Sequence, residues 1–307
     1  MDPLSDVLGL LKPRSYMSAG VDIAGPWAIQ FSRIGKGIKT GAIVAGECWL
    51  SVEGVDNPVH LQTGDCFLLP HGNPFFMGSN MDVPPVAAAD VFATNTGYGH
   101  IRTVNGGGEC LVVSSRFMLD GSQADLLLSL LPPLVHIHDH GETVALRHSV
   151  ERMMEEMRKN EPGSTLVLQN LAHMMLIQAL RQHLDKTPDG TGWFFALADK
   201  QIGAAIGAIH NAPAHPWTVE ALASHTGMSR SAFAAKFKER VGKSPMAYLT
   251  RWRMLLAGER LGTSRDPVSV IALALGYESE SAFSTAFKRE MGCSPRQYSQ
   301  LQGNTAA

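Results

Sequence analysis

The chain has 307 residues and a mass of 33.1 kDa, with 45% hydrophobic and 18% charged residues. At ~150 residues per domain this suggests two domains, with too much apolar material for a disordered chain, a collagen or a mucin. The net charge of −2 hides an asymmetry, −7 over residues 1–189 and +5 over residues 190–307, and a basic C-terminal third points to a polyanionic partner.

In chain order, the N-terminus Met1-Asp2-Pro3-Leu4-Ser5-Asp6 carries no basic n-region, so no signal peptide is expected. Up to about residue 120 the sequence is rich in glycine and in short β-like runs. Ala28–Phe31, Ala42–Val44, Cys48–Val52, Cys66–Leu69 and Cys110–Val113 are separated by Gly35, Gly46, Gly54, Gly64, Gly72 and Gly106-Gly107-Gly108. Short strands at this spacing predict a β-sandwich or barrel. Cys48, Cys66, Cys110 and Cys293 contain no Cys-x-x-Cys pair, so the chain reads as cytoplasmic rather than disulfide-built. Buried packing is the ordinary reading of Cys48 and Cys66, with redox activity the sharper one. His136, His138 and His140 alternate, and on a strand they would share one face, a weak candidate metal set.

From about 142 to 185 the period becomes helical. Leu146, Val150, Met153, Met154 and Met157 form one stripe and Leu168, Leu171, Met175 and Ala179 another. Asn160–Ser164 is the turn between them. The stripes serve either packing on the β-domain or a dimer surface. The richest apolar window, Leu166–Leu180, is broken by Gln169, Asn170, His173 and Gln178, so no membrane partner is expected. Lys186–Gly192 reads as a linker.

Residues 190–307 hold an internal repeat of ~50 residues. Val219, Leu222, Ala223 and Gly227 match Val268, Ile271, Ala272 and Gly276. Phe233, Phe237, Gly242, Ser244-Pro245 and Tyr248 match Phe283, Phe287, Gly292, Ser294-Pro295 and Tyr298. Each copy reads as helix–turn–helix, about 218–241 and 267–291: a capped short helix, a glycine stop, and a second helix pinned by two phenylalanines four apart. Pro245–Leu261 reads as a helix joining them, ~25 Å long, so two recognition helices can sit about one DNA turn, ~34 Å, apart. With the phenylalanines inward, the first recognition helix presents Ser231, Ala235 and Lys238, and the second Ser281, Ser284, Thr285 and Lys288. Serine and threonine can read base edges. Arg230, Lys236, Arg240, Lys243 and Arg289 are assigned to phosphates, which position without specifying. Arg251 and Arg253 are expected to be structural or phosphate-facing.

These residues resemble the AraC/XylS family of bacterial transcription regulators. The resemblance is dense over about 195–301, in Trp217–Ala223, Gly227–Ser229, Val270–Tyr277 and Phe287–Pro295. Gly64-Asp65-Cys66-Phe67-Leu68-Leu69-Pro70-His71-Gly72 is similar to the second cupin motif. The resemblance implies an α+β chain: a cupin-like β-barrel sensor (1–135), a helical hairpin and linker (136–190) that could dimerise, and a C-terminal all-α domain with two helix-turn-helix motifs (191–307). It implies double-stranded DNA as partner, a small-molecule effector, contact with RNA polymerase and a homodimer, in a cytoplasmic protein that joins the nucleoid when DNA-bound. Where the second cupin motif normally ends in a metal-binding histidine this chain has Phe75, and the His-x-His of the first motif is absent. No cofactor, no metal and no enzyme activity are therefore expected. Trp49, Phe67 and Phe76 are the candidate effector-pocket residues. Relatives carry arginine at the position of Thr285, so the second unit is expected to supply mainly backbone contacts. The alternative is a metal-dependent cupin enzyme, or a metal or redox sensor, fused to a DNA-binding domain.

Overall fold

The computed structural model describes residues 2–33, 35, 37–92, 99–119, 128, 131–138, 144–159, 161–186 and 192–305. His140 and residues 187–191 of the expected linker lie outside the described residues. The elements in chain order are α1 (Pro3–Leu11), β1 (Pro13–Ile23), β2 (Ala28–Phe31), β3 (Gly37–Ala45), β4 (Glu47–Val52), β5 (Val59–Gln62), β6 (Cys66–Leu69), β7 (Phe75–Gly78), β8 (Val86–Ala87), α2 (Ala88–Val91), β9 (Ile101–Val104), β10 (Cys110–Leu119) and β11 (Val135–Ile137). Then follow α3 (Val144–Lys159), α4 (Ser164–Lys186), α5 (Trp193–Ala196), α6 (Lys200–Asn211), α7 (Val219–His225), α8 (Arg230–Val241), α9 (Pro245–Thr263), α10 (Val268–Ala274), α11 (Glu280–Met291) and α12 (Pro295–Thr305). No described helix is long and apolar enough to cross a membrane.

The chain divides into two compact units. Pro13–Asp120 and Leu131–Lys186 form one, and Met1–Lys12, Gly121–Leu130 and Thr187–Ala307 the other. The first is the cupin-like unit. Its strands pair into a six-stranded sheet, β11-β6-β3-β10-β1-β9, and a five-stranded sheet, β5-β4-β7-β2-β8. Strand alternation sends Ile23, Ile43, Phe67, Leu69 and Val112 from the first sheet and Ile29, Leu50, Leu61, Phe75 and Met77 from the second into one shared core. The expected barrel is thus seen as two sheets around a common interior. The outer face of the six-stranded sheet is covered by α4, which packs on β1, β3, β6 and β11. Phe117 meets the His173 ring edge-on at 5.2 Å, and the methionines of α3 are buried. The apolar stripes of the hairpin therefore serve packing within the unit. Leu166, Val167 and Met174 on α4 remain exposed.

The second unit is helical and includes α1. Asp2 caps α1, and Lys12 pairs with Glu259 of α9. Asp6 lies 3.2 Å from His210 Nδ1, and His210 Nε2 lies 2.9 Å from the Tyr248 hydroxyl. The His210 ring stacks on Trp252 with centroids 3.7 Å apart. Burial pushes the His210 pKa down to about 3. The ring is therefore neutral, donating through Nδ1 to Asp6 and accepting from Tyr248 through Nε2.

Two glycines of the cupin-like unit separate backbone conformation from crowding. Gly46 and Gly54 both have positive φ, +76° and +88°. A Cβ on Gly46 would stand 2.0 Å from the Glu109 carbonyl oxygen, whereas at Gly54 its nearest neighbour is a side-chain amide at 3.8 Å. Gly54→Ala should cost ~1 kcal/mol, the conformational penalty alone. Gly46→Ala should cost more than twice that, because backbone must move. Chemical denaturation of the two variants measures the difference, and equal losses would show that the β10 edge yields easily.

Candidate nucleic-acid interface

The two helix-turn-helix units are built alike. Thr218 accepts from Ala221 N at the start of α7, Ser229 from Ala232 N at the start of α8, and Ser279 from Ala282 N at the start of α11. Pro267 precedes α10 in place of a side-chain cap. The turns share one hydrogen bond, Met228 N to Ala223 O at 2.9 Å and Tyr277 N to Ala272 O at 3.0 Å. Each needs a left-handed residue, supplied by Gly227 (φ +70°) and Gly276 (φ +80°). α9, with 19 residues and a length of ~28 Å, joins the units. Its Met254, Ala257 and Leu261 enter the core formed by α10, α11 and Tyr298 of α12.

Phe233, Phe237, Phe283 and Phe287 are fully buried. That fixes the rotation of α8 and α11 and decides what remains outside. Arg230, Ser231, Ala235 and Lys238 are exposed on α8, and Ser281, Thr285, Lys288 and Arg289 on α11, with Ser284 half-buried. Ser231 matches Ser281, Ala235 matches Thr285 and Lys238 matches Lys288 in the repeat, so both helices present one outward row. Within the rows the side chains are engaged differently. The Arg230 guanidinium lies 2.8 Å from Glu220, and Arg289 lies 3.5 Å from Glu290. Thr285 donates its hydroxyl to Ser281 O at 2.9 Å, which leaves the oxygen lone pairs for an outside donor. Lys238 and Lys288 have no acidic partner within ion-pair distance among the described residues.

One assignment is corrected. Lys236, read as a phosphate contact, turns inward: its ammonium lies 2.8 Å from Asp199 and 3.0 Å from the Gln201 side-chain oxygen. Asp199 caps α6. Burial alone would raise its pKa, but hydrogen bonds from the Ile202 amide, Lys236 and the Gln201 amide hold it below the usual carboxylate range. Arg253 is structural, donating to Pro213 O at 2.7 Å and His215 O at 2.9 Å and lying over the Tyr277 ring. Half-buried Arg251 lies 3.8 Å from Glu290.

In the cupin-like unit the three pocket candidates do not converge. Phe67 points into the inter-sheet core. Trp49 alternates with the inward Cys48 and Leu50, and Phe76 with the inward Phe75 and Met77, so both lie on the outer face of the five-stranded sheet. Trp49 meets His60 there at 4.8 Å. Lys39 is an inward cation, missed in the sequence because β3 reads as apolar. Its ammonium lies 5.2 Å from the Phe31 ring, 5.6 Å from the Phe75 ring and 3.3 Å from Ser114 Oγ. Burial, aided by repulsion from Arg116, pushes its pKa down to about 8. Cys48 is hydrogen-bonded to Cys110 rather than to Cys66, and that bond together with burial pushes the Cys48 thiol far above its ordinary range. Cys66 contacts Gly64 O instead. His136 and His138 come together, and with them Asp65 of the second cupin motif.

Comparison with known proteins places both units. Residues 2–185 match the cupin family and residues 222–300 the helix-turn-helix domain family. An AraC-like transcription regulator of Streptomyces antibioticus is 40% identical over 302 residues, 97% of this chain and 98% of that protein. The HTH-type transcriptional regulator AlkR of Acinetobacter baylyi is 32% identical over 78% of this chain and 80% of its own length. The DNA-binding domain of AdpA, solved with a target DNA, is 29% identical, with a TM-score of 0.32, and covers 32% of this chain and 89% of that one.

The two neighbouring lysines of α8 should behave oppositely. Lys236→Ala removes the partner of a largely buried carboxylate and should destabilise the helical unit by ~1–2 kcal/mol. Lys238→Ala should stay within ~0.5 kcal/mol of the parent. Thermal unfolding of both variants tests this, and the reverse order would mean that the rotation of α8 is wrong.

Proposed function

The chain belongs to the AraC family of transcription regulators, and from that premise we propose how this DNA-binding regulator engages DNA and is controlled. α8 and α11 enter successive major-groove segments, with Ser231 and Ser281 nearest the base edges and Lys238 and Lys288 on phosphates. The observation that carries this reading is the matched outward row on two similarly capped helices, each with its lysine at the same place. Ser284 and Thr285 extend the second row, and Arg230 and Arg289 exchange weak exposed ion pairs for phosphates at little cost. The sensor answers to a small-molecule effector and the protein acts as an activator that touches RNA polymerase, binding as a homodimer in the cytoplasm. The exposed Leu166 and Met174, two turns apart on α4, support a dimer surface there. The chain is not an enzyme in this reading.

Salt dependence of DNA affinity separates the roles. Lys238→Ala and Lys288→Ala should each lower the log–log slope by ~0.9, and Ser231→Ala should change base preference with the slope kept. Unchanged affinity and slope in all three variants would remove α8 and α11 from the grooves.

The effector reading rests on Lys39. A cation held among aromatic rings, next to a second cation, lowers stability and is expected where a ligand supplies the missing negative charge. The proposed ligand is an apolar molecule with an anionic group, bound between the sheets against Phe31 and Phe75. In the folded state Lys39 loses its proton at about pH 8, in the unfolded chain at ~10.5. Below pH 8 both states are protonated and the burial penalty is present in full. Between the two values the unfolded chain binds more protons, so stability rises with pH. Lys39→Met should therefore raise the melting temperature at pH 7, and the gain should shrink as pH rises from 8 to ~10.5. A variant that melts lower at pH 7 would show that the ammonium is needed for the fold.

A further inference from the structure

We propose that Asp65, His136 and His138 form a binding site for one divalent transition-metal ion, zinc by preference, on the cupin-like unit. The site arises from pairing that is distant in sequence. β11 adds to the edge of the six-stranded sheet beside β6, with His136 opposite Phe67 and Ile137 opposite Cys66. Strand alternation turns Val135 and Ile137 to the buried outer face under α4 and turns His136 the other way. His138 follows in the same sense. Asp65 ends the turn that leads into β6, and its Oδ2 accepts from the Gln62 amide at 3.1 Å, which fixes the carboxylate. His136 Nε2 then lies 3.1 Å and His138 Nδ1 3.6 Å from that same oxygen. One ligand atom from each of the three residues lies within 4.8 Å of the others.

These separations match a metal's coordination sphere. Zinc–nitrogen and zinc–carboxylate bonds of 2.0–2.2 Å in a tetrahedron put neighbouring ligand atoms ~3.3–3.5 Å apart. The donor set is two imidazoles and one carboxylate, which suits zinc and its neighbours and disfavours calcium or magnesium, which prefer oxygen ligands. Asp65 and His136 are largely buried, with side chains 8% and 14% exposed, while His138 is 57% exposed. An ion can therefore enter from the His138 side and meet two ligands already held in place. Three protein ligands leave a fourth position for water or an external donor, the arrangement of an exchangeable rather than a closed structural site.

This is not the metal position of the cupin motifs. Phe75 occupies that place, is 1% exposed, and stacks on Phe31 at 4.3 Å. The proposed ligands instead come from the turn before β6 and from β11 and the residue after it. The proposal stands apart from the DNA and Lys39 readings and revises the expectation of a metal-free sensor. The competing description of the same geometry is a hydrogen-bonded His–Asp–His cluster that binds nothing.

The test uses the full-length protein, untagged and stripped with chelator, titrated with zinc against a competing chromophoric chelator. One equivalent should bind, and the melting temperature should rise with zinc. His138→Ala lies at an exposed position, so it should leave the metal-free melting temperature unchanged yet weaken zinc binding at least ~100-fold. Asp65→Asn should weaken it as well. Cobalt(II) in place of zinc should give visible ligand-field bands without thiolate charge-transfer absorption, which excludes the cysteines as ligands. The proposal fails if the parent retains no zinc, if His138→Ala binds it as tightly as the parent, or if cobalt reports a thiolate.

Discussion

A helix that reads DNA must hold one face rigid so that the other can be aimed. In both repeats that constraint is met by two phenylalanines one turn apart. Phe233 and Phe237 have ring centroids 5.6 Å apart, and Phe283 and Phe287 5.7 Å. Each pair is capped by a tyrosine from a following helix, Tyr248 on Phe237 at 5.8 Å and Tyr298 on Phe287 at 5.4 Å. With four rings immobilised, the azimuth of every other residue on α8 and α11 is determined. The matched outward rows follow from that packing and need no separate explanation.

The same rotation shows why nearby charges differ so much in role. Lys236 and Lys238 are two residues apart on one helix, ~200° around its axis. One reaches back to the Asp199 cap of α6 and fastens the recognition helix to its support. The other points outward with no acidic partner among the described residues. Composition counts both as basic residues available to DNA. The phenylalanine spacing separates their faces, but the partner that holds Lys236, Asp199 at the start of α6, lies outside the repeat.

That contrast marks how far the sequence could be read. The helix-turn-helix units were legible because their determinants are local: serine and threonine caps, positive-φ glycines and paired phenylalanines all act within about a dozen residues. The cupin-like strands were legible as strands, since alternation and glycine turns are local too. Their pairing was not. Trp49, Phe67 and Phe76 looked like one aromatic group until the register put Phe67 inside and the other two outside. Cys48 was considered with Cys66, yet the thiol it meets is Cys110, at the start of β10. Asp65 joined His136 and His138 only because β11 pairs with β6 across some seventy residues of chain. The grouping of α1 with the helical unit depends on His210 and Trp252, some two hundred residues away. The metal-free expectation rested on Phe75 and the missing His-x-His, with the alternating histidines weighed by themselves; the carboxylate beside them, Asp65, stands in the second cupin motif and meets them only through strand pairing.

The two units also use polar burial for different ends. In the helical unit three buried polar side chains satisfy one another: Asp6, His210 and Tyr248 form a chain in which a neutral histidine donates once and accepts once, so their burial is compatible with stability. In the cupin-like unit Lys39 has, among the described residues, one hydroxyl neighbour, two ring faces and a nearby arginine. A network of the first kind is complete as it stands. In the proposed reading a cation of the second kind is completed by a ligand, and an effector can shift a regulator only through interactions that differ between its states. An incompletely satisfied charge between the sheets provides such a difference. The fully paired histidine of the helical unit does not, and its role is to hold α1, α6 and α9 together.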